Sequence, residues 1–335
     1  LGGTRGSIGI GMSDISVFGL KTRAERVLFV IDASKTMLTD AKGGLHSYKI
    51  IKDEITDMVS NLSAGTLFNV VFYDDGRFSF FKPRPIPAGS EIPQALAKWV
   101  APINADVSKW GLPGAKPVAL TAMADNPIQN QIPKYQYDSG NENAYLSQVF
   151  LEQSIDAIFI ITGRHSGFQR MRRSPDEREN EEWARRIARP DYQRQLAAHQ
   201  VEYPEALKKA KKALAELQAE RKKKGLPPKI FDGGNLIRHM GIRMENDHPG
   251  YQPAQYIDRD DVERYFRDFL KQAYADKGTV SPSINVVLFL AGDENFSEAQ
   301  EDNLKDYTRF FDGKYRIIRG LNEIQDARSA KGTVN

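Results

Sequence analysis

Residues 26–37 read Arg-Val-Leu-Phe-Val-Ile-Asp-Ala-Ser-Lys-Thr-Met, an apolar run that ends in an acid and two hydroxyls. The five consecutive apolar residues before Asp32 predict a central strand buried on both faces, as in parallel sheets. Open α/β sheets bind their ligands at the carboxyl ends of such strands. Asp32, Ser34 and Thr36 offer three hard oxygen donors there, which suit Mg²⁺ or Mn²⁺ better than a soft metal. The stretch therefore predicts a wound α/β sheet with a candidate metal-binding loop.

The composition bounds the class of protein. The chain has 335 residues, of which 40% are hydrophobic and 27% charged, enough for one large domain with a real core. Its formal charge of +3 is small and points to no nucleic acid partner. The absence of Cys excludes disulfides, thiolate zinc sites and cysteine nucleophiles. No apolar run approaches the roughly 20 residues of a membrane helix. Because the first residue is Leu1, we expect a fragment or processed product whose targeting or anchoring segment lies outside it.

Apolar spacing along the chain predicts alternating strands and helices. A Ser-Glu-Ala-Gln capping box starts the predicted helix after residue 296, and a turn signal at residues 74–77 predicts a hairpin. Strands are expected at residues 15–20, 27–31, 67–73, 78–81, 156–162, 284–290 and 315–318, and helices at residues 48–62, 92–100, 146–151 and 297–312. Residues 101–143 lack periodicity and are expected to form a long irregular loop. The order of elements predicts an α/β architecture.

The pattern changes between residues 164 and 281. This stretch is predicted to be a largely helical, basic insertion, with a short coiled-coil-like seam at residues 207–217 that packs either on another helix of the insertion or on a helix of a partner. The predicted organisation is a linker at 1–14, a sheet domain at 15–163 and 282–325, the insertion at 164–281 and a tail at 326–335. Because the insertion leaves from a loop at the carboxyl end of a strand, we expect it to overhang the candidate site.

Several motifs together resemble a von Willebrand factor A domain of the bacterial type. The Asp-x-Ser-x-Thr loop follows a buried strand, and further similar stretches are residues 49–54 (Lys-Ile-Ile-Lys-Asp-Glu), 65–72 (Gly-Thr-Leu-Phe-Asn-Val-Val-Phe), 156–163 (Asp-Ala-Ile-Phe-Ile-Ile-Thr-Gly) and 304–321 with Phe-Asp-Gly-Lys-Tyr at 311–315. The resemblance implies a doubly wound, mostly parallel, Rossmann-like sheet with one short antiparallel edge strand, here residues 78–81. The insertion has no counterpart in it.

The resemblance also implies a metal-ion-dependent adhesion site. In that site, two hydroxyls of the loop contact Mg²⁺ and the Asp binds through water, while a carboxylate of a partner protein takes the open position. Asp32, Ser34 and Thr36 match these positions, with Thr36 supplying the second hydroxyl. The expected protein partner therefore presents Asp or Glu.

Two ligand positions of that site depart from the pattern. The fourth strand of the family ends in Thr-Asp-Gly, whereas this chain has Thr162-Gly163-Arg164 and so lacks the carboxylate. The usual Gly-Gly-Thr signal is also absent. The candidate substitutes are Thr162 and, in the long loop, Thr121, Asn141 and Glu142. A missing carboxylate and a neighbouring Arg164 both lower the negative charge available to a cation.

The residues leave three hypotheses open. The first is a non-enzymatic protein-binding or adhesion module, exported or membrane-anchored at the periplasm or cell surface, with Mg²⁺ or Mn²⁺ as an optional ion. The second is a metal-independent scaffold that binds through the basic insertion, where residues 221–224 read Arg-Lys-Lys-Lys. The third is a metal-dependent hydrolase that uses Asp32 and a neighbouring His, although the sequence offers no organised acid–base pair. No catalytic residue and no organic cofactor site is predicted.

Overall fold

The computed structural model describes residues 11–74, 77–106, 109–112, 154–165, 167–168, 172–173, 175–226, 228–231 and 235–328. Thr121, Asn141, Glu142, the helix predicted at 146–151 and most of the loop predicted at 101–143 lie outside these residues. The strands are β1 (Ser13–Val17), β2 (Leu20–Ala24), β3 (Arg26–Asp32), β4 (Leu67–Asp74), β5 (Arg77–Phe80), β6 (Ile86–Pro87), β7 (Ala157–Thr162), β8 (Arg172–Arg173), β9 (Gln255–Tyr256), β10 (Ser283–Leu290) and β11 (Tyr315–Arg319). The helices are α1 (Gly44–Ser60), α2 (Ile92–Val100), α3 (Glu177–Ile187), α4 (Pro190–Lys223), α5 (Leu236–His239), α6 (Arg259–Ala273), α7 (Glu298–Phe310) and α8 (Gly320–Asp326).

The main sheet confirms the predicted fold class. Its strands lie in the order β11-β10-β7-β3-β4-β5, and β6 pairs with β4 off this path. Strands β3, β4, β7, β10 and β11 run parallel, whereas β5 is the antiparallel edge strand expected near residues 78–81. The chain moves from β3 to β4 in one direction and from β7 to β10 and β11 in the other, as in doubly wound sheets.

Helices cover both faces of this sheet. Along β3, Phe29 faces the cluster that includes Ile51 and Ile55 of α1, and Val30 faces the cluster that includes Phe266 of α6. This alternation explains the continuous apolar run, since both sets of side chains are buried. The sheet is therefore held rigidly between two apolar layers, and its carboxyl edge is left for polar residues.

The packing changes the predicted limits of the insertion. Helix α6 lies within residues 164–281, yet its apolar residues Val262, Phe266 and Phe269 belong to the same buried cluster as the sheet strands. The spacing of these residues predicts an amphipathic helix but not the surface that it covers. At the other end of the sheet domain, Ala327, which lies within the predicted tail, is buried in the core beside α8.

The insertion has a small core of its own. Leu207 and Ala210 of α4 pack with Ile237 of α5, so the first half of the seam predicted at residues 207–217 contacts another helix of the same segment. Helix α4 is 34 residues long and contains Pro204 in its interior.

The strand predicted at residues 15–20 is instead a hairpin. Strands β1 and β2 pair antiparallel around Phe18 and Gly19, whose φ angles are 47° and 77°. Two positive φ values are typical of tight hairpin turns. Phe is an unusual residue for the first of them, so the turn carried no Asn-Gly or Asp-Gly signal. Strand β1 begins at Ser13, inside the predicted linker.

Candidate functional site

The candidate loop lies at the switch point of the sheet. Asp32 is the last residue of β3, whose neighbours are β4 and β7. The connections diverge on the two sides of β3, and the carboxyl ends of these strands form one edge, which we call the rim. The rim comprises residues 32–42 after β3, residues 163–165 after β7 and residues 291–297 after β10.

Asp32 holds two of these loops together. One carboxylate oxygen accepts a hydrogen bond from the Ser34 backbone N–H at 2.8 Å. The other accepts from the Thr162 hydroxyl at 2.9 Å and from the Gly163 backbone N–H at 3.3 Å. Asp32 is only 4% exposed, so these bonds replace the water that a carboxylate otherwise requires. The Asp32 side chain therefore links the loop after β3 to the loop after β7.

The two predicted hydroxyl ligands also converge. Ser34 Oγ and Thr36 Oγ1 are 2.7 Å apart, and both side chains are half-buried. A short 3₁₀ turn at Lys35–Leu38 brings Thr36 back beside Ser34. The structure thus brings Asp32, Ser34 and Thr36 together at the rim, as the spacing predicts.

Thr162 belongs to the same hydrogen-bond network. Its hydroxyl oxygen accepts from the Tyr73 hydroxyl at 3.0 Å and from the Arg164 backbone N–H at 3.1 Å. The single hydroxyl hydrogen has two acceptors within 2.9 Å, Asp32 Oδ2 and the Arg164 carbonyl, and the carboxylate is the stronger one. With these four contacts, the donor and both acceptor positions of the Thr162 hydroxyl group are used within the protein.

Tyr48 supports Asp32 from beneath. Its hydroxyl donates to the Asp32 carbonyl oxygen at 3.0 Å. Burial, and then the charge of Asp32, raise the pKa of Tyr48 well above its usual value, so the phenol remains a neutral donor. The backbone of the rim is thereby attached to helix α1.

Lys42 is a further residue of the rim, to which no sequence motif points. Its ammonium nitrogen donates to the Gly163 carbonyl oxygen at 2.9 Å and lies 3.5 Å from Glu294 Oε2. The Lys42 residue is 6% exposed. Residues 42 and 163 are far apart in the chain, so their contact has no local signature. The only available signal was the loss of a carboxylate at position 163, which changes the charge balance of the loop.

The described residues do not complete a divalent cation site. Around Ser34 and Thr36 they offer the carboxylate of Asp32, whose two oxygens already accept three hydrogen bonds, and they place the ammonium group of Lys42 nearby. A positive charge beside these hydroxyls disfavours a divalent cation, because like charges repel. Within the described ranges, no group of three or more His, Asp or Glu side chains could hold a metal ion. The binding of Mg²⁺ or Mn²⁺ stays a prediction.

The insertion contacts the rim through an ion pair. Arg221, near the end of α4, donates to Asp40 at 2.7 Å, and both side chains are half-buried. Beside this ion pair, a groove of about 540 Å³ lies between the insertion and the rim. Its lining includes Thr39, Lys42, Lys229, Phe231, Asp293 and Glu294. One end of α4 therefore lies beside the rim, and the overhang of the site itself stays a prediction.

An exposed aromatic residue borders the other side of the rim. Trp110 is 40% exposed, and the Lys35 ammonium nitrogen lies 5.8 Å from its ring centroid. Buried Asn104 donates to the Ala33 carbonyl oxygen at 3.0 Å and accepts from the Gly111 backbone N–H at 2.6 Å. These bonds attach the segment that carries Trp110 to the loop after Asp32.

Together, the fold and the rim define an α/β protein with a doubly wound sheet and a polar switch-point loop. No sequence-based family model matches the chain, and no curated protein matches it. The chain is similar to the crystal structure of the conserved hypothetical protein BatB from Bacteroides thetaiotaomicron, with 12% identity, 90% of this chain and 94% of that chain covered, and a TM-score of 0.31. It is also similar to the PilB minor pilin from Streptococcus sanguinis, with 13% identity, coverage of 95% and 60%, and a TM-score of 0.35. Among the described helices, none combines the length and the apolar character needed to cross a bilayer.

Proposed function

We propose that this chain is a non-enzymatic protein-binding module of the von Willebrand factor A type that engages its partner at the rim. The observation that carries the proposal is the convergence of Asp32, Ser34 and Thr36 at the carboxyl end of the central strand, with Ser34 Oγ and Thr36 Oγ1 2.7 Å apart. This is the place where open α/β sheets bind their ligands. We further propose that the module works at the periplasm or cell surface, as the resemblance implies.

The chemistry of the exposed rim supports a protein partner with acidic side chains. Trp110 is a large, partly exposed aromatic residue, a type enriched among residues that dominate binding energy. Lys35 lies against its ring, and Arg164 is exposed on the loop after β7. A carboxylate of the partner would find a cation at this surface without needing a metal ion, so binding would weaken at high ionic strength.

Hydrolysis at Asp32 is not proposed. A general base must have a lone pair directed at the proton that it removes. Three of the roughly four lone-pair positions of the Asp32 carboxylate already accept hydrogen bonds, from Ser34, Thr162 and Gly163, and these contacts favour a structural role for Asp32.

A cross-linking experiment tests the binding face. A photoreactive amino acid replaces Trp110 in one variant and Tyr251, which is 75% exposed on the insertion, in a matched control. Each variant is irradiated with an envelope extract of the producing cells, with and without an excess of wild-type protein. We expect a discrete adduct from position 110 that the wild-type protein competes away. Equal labelling from both positions, or adducts that resist competition, would contradict the proposal.

The basic surface of α4 supports a second candidate, a scaffold that binds through the insertion. Lys208, Lys209, Lys211 and Lys212 are all exposed on one stretch of this helix. Replacing Lys208, Lys209 and Lys211 with Glu should leave the Trp110 adduct intact if the rim is the binding face. Loss of partner capture in this variant, with capture kept in a variant that carries Trp110→Ala, would favour the scaffold instead.

A further inference from the structure

Lys42 occupies a position that calls for a specific explanation. It is a buried cation that contacts one carbonyl oxygen and one carboxylate, both from loops distant in sequence. Burying a lysine costs free energy unless its charge is paired. The buried ammonium group lies at the place where the family resemblance implies a metal ion.

The contacts of Lys42 connect the three loops of the rim. Lys42 itself belongs to the short turn Asp40–Lys42 after β3, Gly163 follows β7, and Glu294 follows β10. Glu294 is fixed in turn, because its side chain accepts from the Ala291 backbone N–H at 2.9 Å and its carbonyl accepts from Arg319 at 2.8 Å. The ammonium group thus joins loops that a shared metal ion would otherwise join.

The surroundings of Gly163 show what this arrangement replaces. A Cβ atom built at position 163 would lie 3.0 Å from Lys42 Nζ, 3.5 Å from Thr36 Oγ1 and 2.8 Å from Met37 Sδ. The φ angle of Gly163 is not in the left-handed region, so its backbone can accept any side chain. A carboxylate from this position would reach toward both the Thr36 hydroxyl and the Lys42 ammonium group.

We propose that Lys42 is a built-in cation that replaces the divalent ion of an adhesion site and assembles the rim without metal. The inference rests on the proposed von Willebrand factor A type of function and deepens it. Gly163 and Lys42 form one unit, in which the loss of the carboxylate makes room for the ammonium group and removes the charge that would attract Mg²⁺. The rim is then permanently in its assembled state, and the partner's carboxylate meets side-chain cations rather than an ion.

Lys52 provides a matched control within the same chain. It is also buried, at 8% exposure, and its ammonium nitrogen donates to the carbonyl oxygens of Ala101 and Ile103 at 3.1 and 2.9 Å. Lys42→Met and Lys52→Met therefore each remove one buried ammonium group, and Lys42→Met also removes the ion pair with Glu294. Only the first change clears the space beside position 163.

The test reintroduces the carboxylate with and without Lys42. Calorimetry and thermal unfolding with Mn²⁺ are compared for the wild type, Gly163→Asp, Lys42→Met/Gly163→Asp and Lys52→Met/Gly163→Asp. We expect Mn²⁺ to bind only the Lys42→Met/Gly163→Asp variant and to raise its Tm by roughly 4 °C at an ion concentration about 100-fold above Kd. Heat and stabilisation in the wild type, or an equal Mn²⁺ response in the variant with Lys52→Met, would overturn the inference.

A single substitution keeps the proposal testable if the double variants do not fold. In Lys42→Met alone, hydrogen exchange should become at least tenfold faster in residues 163–165 and 291–297 and unchanged around α2, while Lys52→Met should show the opposite pattern. Unchanged exchange at the rim in Lys42→Met would refute the role of Lys42. Neither measurement needs the partner, so a failure here with an intact Trp110 cross-link refutes the inference alone, and loss of the cross-link alone refutes the proposed function.

Discussion

Replacing Asp32 by Asn is the sharpest test of the hydrogen-bond network at the rim. The carboxylate accepts from Ser34 on one oxygen and from Thr162 and Gly163 on the other. An amide keeps one acceptor oxygen and turns a donor toward the remaining partners, so at least one backbone N–H loses its acceptor in either orientation. An unsatisfied buried donor costs about 1–3 kcal/mol, and hydrogen bonds to a charged acceptor are worth about 1.5–3 kcal/mol.

The expected loss of unfolding free energy for Asp32→Asn is therefore about 2–4 kcal/mol, and more for Asp32→Ala, which leaves all three donors without that acceptor. Urea unfolding followed by circular dichroism at neutral pH measures it. Asp53→Asn is the control, since Asp53 forms a more exposed pair with Lys49 on α1 and should change stability by less than about 0.5 kcal/mol.

The same unfolding experiment separates the network from a metal role. The difference between wild type and Asp32→Asn should be equal in EDTA and in millimolar Mg²⁺. If Asp32→Asn unfolds within about 0.5 kcal/mol of wild type, the carboxylate is not the structural acceptor described here. If the difference exists only with Mg²⁺, Asp32 acts through an ion.

Three further predictions concern the fold around the site. Gly313→Ala should lower the free energy of unfolding by more than about 3 kcal/mol, because the added Cβ would lie 1.8 Å from the Ile284 carbonyl oxygen. A free energy of unfolding, measured in urea, within about 1 kcal/mol of the wild-type value would contradict this. Burial lowers the pKa of His165 to about 4, so the folded state binds fewer protons than the unfolded state between about pH 4 and 6.5. The free energy of unfolding should therefore fall by up to about 3 kcal/mol as the pH decreases through that range. A His165→Gln variant should lack this dependence on pH, and an unchanged dependence would show that other groups cause it. Arg221→Ala removes the ion pair with Asp40 and should speed tryptic cleavage at the end of α4, while the global free energy of unfolding changes by less than about 1 kcal/mol. Unchanged cleavage would mean that the pair does not hold α4 at the rim.

Matched controls keep these outcomes specific. Gly225→Ala meets no atom within 4 Å and tests the cost of a positive φ angle alone, which is 68° there. Arg178→Ala removes an exposed pair with Glu182 on α3 and should not alter cleavage at α4.

The strands of the main sheet were predictable because their sequence pattern has a physical cause. Residues 27–31, 67–73 and 284–290 are apolar on both faces because helices cover both faces, and each became a central or near-central strand. The antiparallel edge strand followed from the turn signal at residues 74–77. Ser297 and Gln300 form the predicted capping box of α7.

The surface that helix α6 covers and the first hairpin were not predicted, because a local sequence pattern does not show which other element a segment packs against. The apolar stripe of Phe266 and Phe269 is equally compatible with an insertion core and with a sheet face, and only the tertiary contacts choose the sheet. The first turn position of the hairpin is Phe18, which has a positive φ angle, and Phe is not among the residues whose presence predicts such a turn.

One part of the candidate site could be predicted from the sequence and the other could not. The spacing of Asp32, Ser34 and Thr36 places them at one strand end, because residues of a short loop stay close together. Lys42 could not be found in this way, since its partners Gly163 and Glu294 lie on other strands and a lone lysine before two glycines resembles an ordinary surface turn.

The most direct test of the central claim is a crystal structure of the wild-type protein grown in excess MnCl₂, with anomalous data collected at the manganese edge. We predict no anomalous peak beside Ser34 Oγ and Thr36 Oγ1, and side-chain density that joins Lys42 Nζ to the Gly163 carbonyl oxygen. A manganese peak bonded to either hydroxyl, with Lys42 turned away, would contradict an ion-free rim.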